Sequence, residues 1–398
     1  MSGWLPAWRA QFLDIENGLP LNRPAGMNVD RIMSHRTLML MALAVACGGQ
    51  PLSSLPAKTA DSAGFIPAPH DPLPALERGQ GRVLQAPRLV TVTFAGYELQ
   101  AEAEAFGSFL AGSQWLRTIG AEYGVGAGSS TAIRLSDKPP PTLDANSLNA
   151  LLAARIADGT LPPPDGNTLY VVYTSTLTWF LQQGGLICPG GSGHVQGVGA
   201  TAQGTPFPWI VGADCFGDLD DLVLDVSLAV ADAVTDPFLD SYRLPVPAPA
   251  SAPQQLGAGA ACLGTAPAAE GSYKLARSYS SQAASAGKNP CLPVVAGEVF
   301  YSVSASPALV QEAAAGSTVT VDLTGWSDAA IDSWVLIPSA AATDFDPQMA
   351  LDRVTMTNGG HATATFTVPA TAQPGQVGLM ALFSAPFESQ VVLGVVVR

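Results

Sequence analysis

The sequence predicts an α+β protein: a mixed α/β unit over 88–293 followed by an antiparallel β-sandwich over 294–398. Three observations predict it. Before about residue 293, β-branched strand runs are interspersed with helical stretches. From about Gly297 the chain changes to short Val/Thr/Ser runs separated by turn residues. A length of 398 residues exceeds one ordinary domain, and a 47% hydrophobic content supplies material for two cores.

The chain opens with a stretch, 1–32, that fits no signal peptide, and Met33 is the expected true start. Arg31 to Thr37 is cationic, Leu38 to Ala46 (LMLMALAVA) is apolar, and Cys47 follows small residues, which are the parts of a secretory signal. The apolar run is too short to span a bilayer. From 48 to 87 the chain is rich in Pro, Ser, Ala and Gly without periodicity, and composition predicts a flexible tether.

In the first unit Arg88-Leu-Val-Thr-Val-Thr-Phe94 reads as a strand, and a helical stretch is expected around Glu98–Tyr123, with Phe106, Phe109, Leu110 and Trp115 at core spacing. A second helix begins near Asp144 or Asn146 and stops at Asp158-Gly159. Thr168–Tyr173 and Phe207–Gly212 read as buried strands, and Gly184–Gly204 between them as a glycine-rich loop holding Cys188 and His194. That loop lacks GxxxxGK[ST], so it is not a phosphate cradle. Over Asp218–Asp236, Leu219, Leu222, Val223, Val226, Val230, Ala233 and Val234 share one broad helical face. Asp221, Asp225, Asp232 and Asp236 form an acidic stripe opposite, with Leu228 beside them; the commonest state of such a stripe is solvated. Asp232 and Asp236 near the helix C-terminus oppose the dipole, which Arg243 or a hard cation such as calcium would offset. In the second unit, runs from Phe300, Ser317, Ser333, His361, Val377 and Gln390 predict the strands of an immunoglobulin-like sandwich, with His361 an exposed strand residue.

Charge excludes one class of partner. Lys+Arg 18 against Asp+Glu 32 gives a net charge of -14, which argues against nucleic acid. With Cys47 set aside, Cys188, Cys215, Cys262 and Cys291 leave an even number, which in an exported chain favours two disulfides. Three pairings are open; the sequential one, 188–215 with 262–291, closes the shortest loops. No CxxC spacing supports a cysteine metal site, and no GxSxG supports a serine-hydrolase elbow.

Leu43-Ala44-Val45-Ala46-Cys47 resembles the lipobox of bacterial lipoproteins, with Ala44 where Leu is more usual. The resemblance implies acylation of Cys47 and a membrane partner through that lipid. Gly48-Gly49 with no Asp after the cysteine implies the outer membrane or cell surface.

Asp225-Val-Ser227-Leu228-Ala229-Val-Ala-Asp232-Ala-Val-Thr235-Asp236-Pro237 resembles S-H-E-L-x-E-A-x-T-D-P of secreted, often lipid-anchored myxobacterial-type proteins, a zincin-like motif. Supporting stretches are the opening strand, Glu122–Gly128, Asn167–Tyr173 and Arg277-Ser-Tyr-Ser-Ser through Asn289-Pro-Cys291. A looser similarity, on Cys188 to His194, Trp209–Gly212 with Cys215, and Thr235–Phe238, runs to plant phosphate-induced, EXORDIUM-like secreted proteins. The resemblance implies a zincin-like fold for 88–293. It also implies a degenerate site: Leu228 stands at the first His and Ala229 at the catalytic Glu. A zincin helix needs a ligand at i and i+4 and a carboxylate to activate water. Leu228 has no lone pair and Ala229 cannot act as a base, and Gly257-Ala-Gly-Ala-Ala261 lacks the acidic residues that relatives carry before the cysteine at position 262.

The expected function is therefore a non-catalytic, lipid-anchored envelope protein that binds, adheres or assembles through an unidentified protein or polysaccharide ligand. The alternative is a metal-dependent hydrolase with a rearranged site made from His194 with Asp225 or Asp232, holding zinc. A third reading is a calcium-stabilised structural protein.

Overall fold

The computed structural model describes residues 64–175, 178–182, 185–186, 193–215, 217–246, 254–263, 265–340, 344–345, 347–385 and 389–398. The signal segment with Cys47, and Cys188, lie outside the described residues.

In chain order the first unit contains β1 (Arg88–Thr93), α1 (Gln100–Gly112), α2 (Gln114–Gly120), β2 (Ser129–Arg134), α3 (Ala145–Ala157), β3 (Thr168–Thr174), β4 (His194–Ala200), β5 (Pro206–Ala213) and α4 (Leu219–Thr235). Its sheet has the order β2-β1-β3-β5-β4. Pairing is parallel from β2 to β5, and only the edge strand β4 runs antiparallel. Alternate residues of each strand point to opposite faces. Leu89, Leu169, Val171 and Ile210 join one core with Phe106, Trp115, Val226 and Val230 of α1, α2 and α4. Val90, Tyr170, Val172 and Trp209 join a second core with Leu148 and Leu152 of α3. Covered on both faces, β3 is buried at all seven positions, as an interior parallel strand must be.

Two local expectations change. The helical stretch expected around Glu98–Tyr123 is two helices, because Ser113 takes an extended conformation (φ -65, ψ 152) and caps α2, its side chain accepting from the Leu116 amide. The glycine-rich segment is not all loop: its C-terminal part forms β4. Gly197 and Gly199 lie opposite Trp209 and Phe207 in the β4–β5 register. A Cβ at Gly197 would stand 2.2 Å from the Trp209 ring, and one at Gly199 2.5 Å from Phe207, so the aromatic rings occupy the space of the missing side chains. By contrast α3 forms as the sequence predicts. Asp144 caps it in a reciprocal box, its carboxylate accepting from Ser147 N at 2.7 Å while Ser147 Oγ accepts from Asp144 N at 2.8 Å.

The second unit contains β6 (Tyr301–Ser306), β7 (Val310–Ala313), β8 (Thr318–Ser327), β9 (Trp334–Ala340), β10 (Gln348–Leu351), β11 (Thr355–Met356), β12 (His361–Thr367), β13 (Val377–Ala385) and β14 (Ser389–Val397). These make two sheets, β6-β8-β12-β10 and β7-β14-β13-β9-β11. Both contribute to one core that includes Tyr301, Leu323, Trp334, Phe366, Leu382 and Leu393. Pairing is antiparallel except for β7 against β14, which is parallel and departs from the purely antiparallel expectation. His361 opens β12 and is exposed.

Of the expected tether 48–87, residues 48–63 lie outside the described residues, and 64–87 is a strap bonded to both units. Glu77 and Arg78 pair antiparallel with Arg243 and Tyr242. The amides of Gly79 and Leu84 donate to Ser241 O (2.7 Å) and Val234 O (3.0 Å). On the sandwich side Ala68 N donates to Asn358 Oδ1 at 2.8 Å, and the His70 ring stacks on Trp326 with centroids 3.7 Å apart. Composition suggests a free chain because prolines and small residues have no period; its backbone groups nevertheless find partners in neighbouring segments.

Candidate functional site

Helix α4 is capped at its N-terminus by Asp218, whose side chain accepts from Asp220 N, and packs against β5. Its burial is broader than a one-faced helix would show: every residue from Val226 to Ala231 is buried. Leu228 and Ala229, at the two positions the resemblance singles out, are 5% and 0% exposed. Ala229 is part of the first unit's main core.

The acidic stripe is not solvated as a whole, contrary to the simplest expectation. Each of the three aspartates from Asp225 onward meets a different neighbouring segment. Asp225 Oδ2 accepts from Gly193 N at 2.6 Å, and its Oδ1 lies 3.5 Å from His194 Nδ1. The edge strand β4 starts here, so the antiparallel hairpin with β5 is what carries His194 to the helix. Asp232 Oδ1 accepts from the amides of Gly259 (2.6 Å) and Ala260 (3.2 Å). Asp236, at the helix C-cap, accepts from the amides of Asp240 and Ser241, each at 2.7 Å, and pairs with Arg243 Nε. Arg243 thus offsets the unfavourable dipole, as the sequence expectation allowed.

The Gly257–Ala260 turn closes over α4 at Leu228 and Asp232. A Cβ on Gly257 would stand 2.3 Å from Asp232 Oδ1, and one on Gly259 would stand 2.6 Å from the Leu228 carbonyl. Only glycine permits this approach. The sequence flags the stretch by its lack of acidic residues; it does not flag the amides that hold Asp232. Those donors, with Gly193 N and Ser241 N, are the site contacts that side-chain chemistry could not reveal.

Burial pushes the Asp232 carboxyl up to about 6, against the opposing pull of its amide donors and of His194. The sign follows from linkage. The fold favours the protonated form, so this group's contribution is fully present below about pH 4 and is lost as pH rises through 6. Asp232→Asn keeps an acceptor for Gly259 and removes the charge. Its stability at pH 7.5 is expected to exceed the parent's by roughly 2 kcal/mol, with no difference at pH 4. Urea denaturation at the two pH values checks this; a loss at pH 7.5 would contradict it.

The structure therefore brings together two of the three weak ligand candidates, His194 and Asp225, and places Asp232 in an amide clamp. Among the described residues, no group of three or more His, Cys, Asp or Glu is arranged to hold a metal ion. Cys262 and Cys291 are bonded to each other, in agreement with the sequential pairing. Cys215 is also disulfide-bonded, and its expected partner Cys188 lies outside the described residues.

No protein-family model and no curated protein matches the chain. Among solved structures, it is similar to domains 4 and 5 of the S-layer protein SbsC, at 12% identity and a TM-score of 0.20, covering 25% of this chain and 53% of that one. Domains 1–6 of the same protein match at 13% identity and a TM-score of 0.20, over 27% of this chain and 14% of that one. WR4, an MSP family member of C. elegans, matches at 10% identity and a TM-score of 0.18, over 24% of this chain and 97% of that one. The chain thus spans about half, or less, of the S-layer structures it matches. Likeness at this level carries no argument about function.

Proposed function

We propose that this chain is a non-catalytic surface protein of the cell envelope, anchored by lipid on Cys47, with a degenerate zincin-like unit and an immunoglobulin-like sandwich serving binding, adhesion or assembly. One observation carries the reading. Asp232, the acidic residue of the motif-like helix, is engaged by the Gly259 and Ala260 amides, and the turn that supplies them lies against Leu228. A zinc ion at that place would need a lone pair from Leu228 and a carboxylate free of the turn. The sandwich supports the same reading, since its strands present a two-sheet scaffold suited to spacing or presenting a binding surface.

Elemental analysis of the periplasmically produced, tag-cleaved protein tests it. Zinc is expected far below one equivalent, peptidase activity is expected to be absent with or without chelator, and the melting temperature is expected to be the same in calcium and in EDTA. Robust chelator-sensitive peptidase activity would overturn the reading.

The His194–Asp225 pair favours the second reading, a hydrolase with a rearranged site, because a carboxylate oxygen lies 3.5 Å from an imidazole nitrogen, the juxtaposition by which a carboxylate orients a histidine base or ligand. That reading requires stoichiometric zinc that disappears in His194→Ala.

A further inference from the structure

Among the described residues one asparagine precedes a glycine: Asn358, in the turn 357–360 between β11 and β12. Asn146, Asn149, Asn167 and Asn289 are followed by Ser, Ala, Thr and Pro. An Asn-Gly step is especially prone to succinimide formation, because glycine has no Cβ to hinder attack by its own backbone nitrogen.

Asn358 is half-buried and is the clasp that fixes the strap on the sandwich. Its Oδ1 accepts from Ala68 N at 2.8 Å and from Ser327 N at 3.3 Å, and its Nδ2 donates to Ile66 O at 3.0 Å. All three partners are backbone groups of fixed polarity, so they define the orientation of the side-chain amide. The turn is held as well: Gly359 N donates to Gly325 O and Gly325 N to Gly360 O, each at 2.8 Å. Next to the clasp, Ala68 and Leu73 of the strap pack with Phe300 and Trp326 in one apolar cluster.

We propose that Asn358 is a spontaneous modification site, and that its conversion to isoaspartate releases the strap from the sandwich. Gly359 N attacks Asn358 Cγ and gives up its proton to solvent. The Cγ–Nδ2 bond breaks, and the side-chain nitrogen takes a proton from water and leaves as ammonia. Water then opens the five-membered succinimide at either carbonyl, giving aspartate or isoaspartate. The net change is hydrolysis of one amide to a carboxylate and ammonium, with no oxidation or reduction.

The two products differ at the clasp. Aspartate keeps an acceptor for Ala68 N and Ser327 N and loses only the donor to Ile66 O. Isoaspartate routes the main chain through Cγ, which inserts a methylene before Gly359 and breaks the register of the turn with Gly325. Its carboxylate sits directly on Cα and no longer reaches the strap. The strap also sets the rate. Ring closure swings the side chain toward Gly359 N at the cost of its three hydrogen bonds, two of them to the strap. Fraying of the strap, where Ile66 is 79% exposed, therefore gates the reaction. The inference is independent of the readings of α4 and Cys47 given above.

Peptide mapping of the full chain aged in mildly alkaline buffer tests it, with fragmentation that separates isoaspartate from aspartate. Asn358 is expected to convert, more slowly than in a synthetic peptide of residues 353–363. His70→Ala, which removes the stack on Trp326, is expected to speed conversion about fivefold, and Ala68→Pro, which removes one donor, by a similar factor. Amide exchange at Ala68 is expected to be about tenfold faster in the isoaspartate form than in the parent, and little changed in Asn358→Asp. Three results would each overturn the proposal: no conversion while the peptide converts, a rate indifferent to both variants, or an isoaspartate form whose Ala68 amide exchanges like the parent's.

Discussion

Glu298→Ala is expected to destabilise the protein by about 3–5 kcal/mol, the cost of leaving a buried charge without its counter-ion. The charge is Arg277, whose side chain is 0% exposed, with Glu298 at 7%. Glu298 also accepts from Asn289 Nδ2 at 3.2 Å and from Val295 N at 3.0 Å. Its carboxylate thus gathers the end of the first unit and the start of the crossing into the sandwich. Removing it strands the guanidinium and frees both of these donors. The pair itself need not be a large net stabiliser, since desolvating two ions offsets most of their attraction. The double substitution Arg277→Met with Glu298→Leu is therefore expected to recover most of the loss. Urea midpoints of the parent, Arg277→Met, Glu298→Leu and the double variant measure this as a cycle, with Glu298→Ala beside it. If Glu298→Ala lost less than about 1 kcal/mol, the buried pair would not be the fastening described.

Replacing Cys262 and Cys291 together by alanine is expected to cost about 3–4 kcal/mol. The bond closes a loop of sequence separation 29, and the chain-entropy relation gives that magnitude for such a loop. Both sulfurs are buried, Cys262 in the turn Ala260–Cys262 and Cys291 in the strand Cys291–Leu292 that pairs with Ser278–Tyr279. Alanine adds no polar group, so the loss reports the missing cross-link and a small cavity. The effect is also local. The turn held by Cys262 is the one whose amides clamp Asp232. Hydrogen exchange at Gly259 and Ala260 is therefore expected to accelerate more than at β3. Equal acceleration throughout the first unit would mean that the bond restrains the unfolded chain alone, without specifically holding the turn.

Much of the architecture was legible because it rests on periodicities. β3 and β5 appear as continuous apolar runs because both faces of an interior parallel strand are covered. The capping signal at Asp144 is local chemistry and was visible as such. β4 was hidden because its glycines have no strand propensity; Trp209 and Phe207 on the neighbouring strand supply the packing. At the candidate site, Leu228 and Ala229 were readable as side chains that can neither ligate a metal nor act as a base. The fate of Asp232 was not, since its partners are backbone amides, which every residue but proline carries and no motif marks.

What the sequence by itself determined is chemistry that travels with side-chain identity: the mixed α and β character, the even set of cysteines after Cys47, and the lack of an imidazole at position 228. What only the tertiary structure decided is which surfaces stay wet. The aspartates of α4 occupy one arc of a helix, a pattern that describes a solvent face equally well. They are drawn into contacts because β4, the Gly257–Ala260 turn and Arg243 fold back onto that arc. The strap shows the same logic. Local periodicity specifies which face of an element is apolar, whereas the partner that covers a polar face comes from residues distant in the chain.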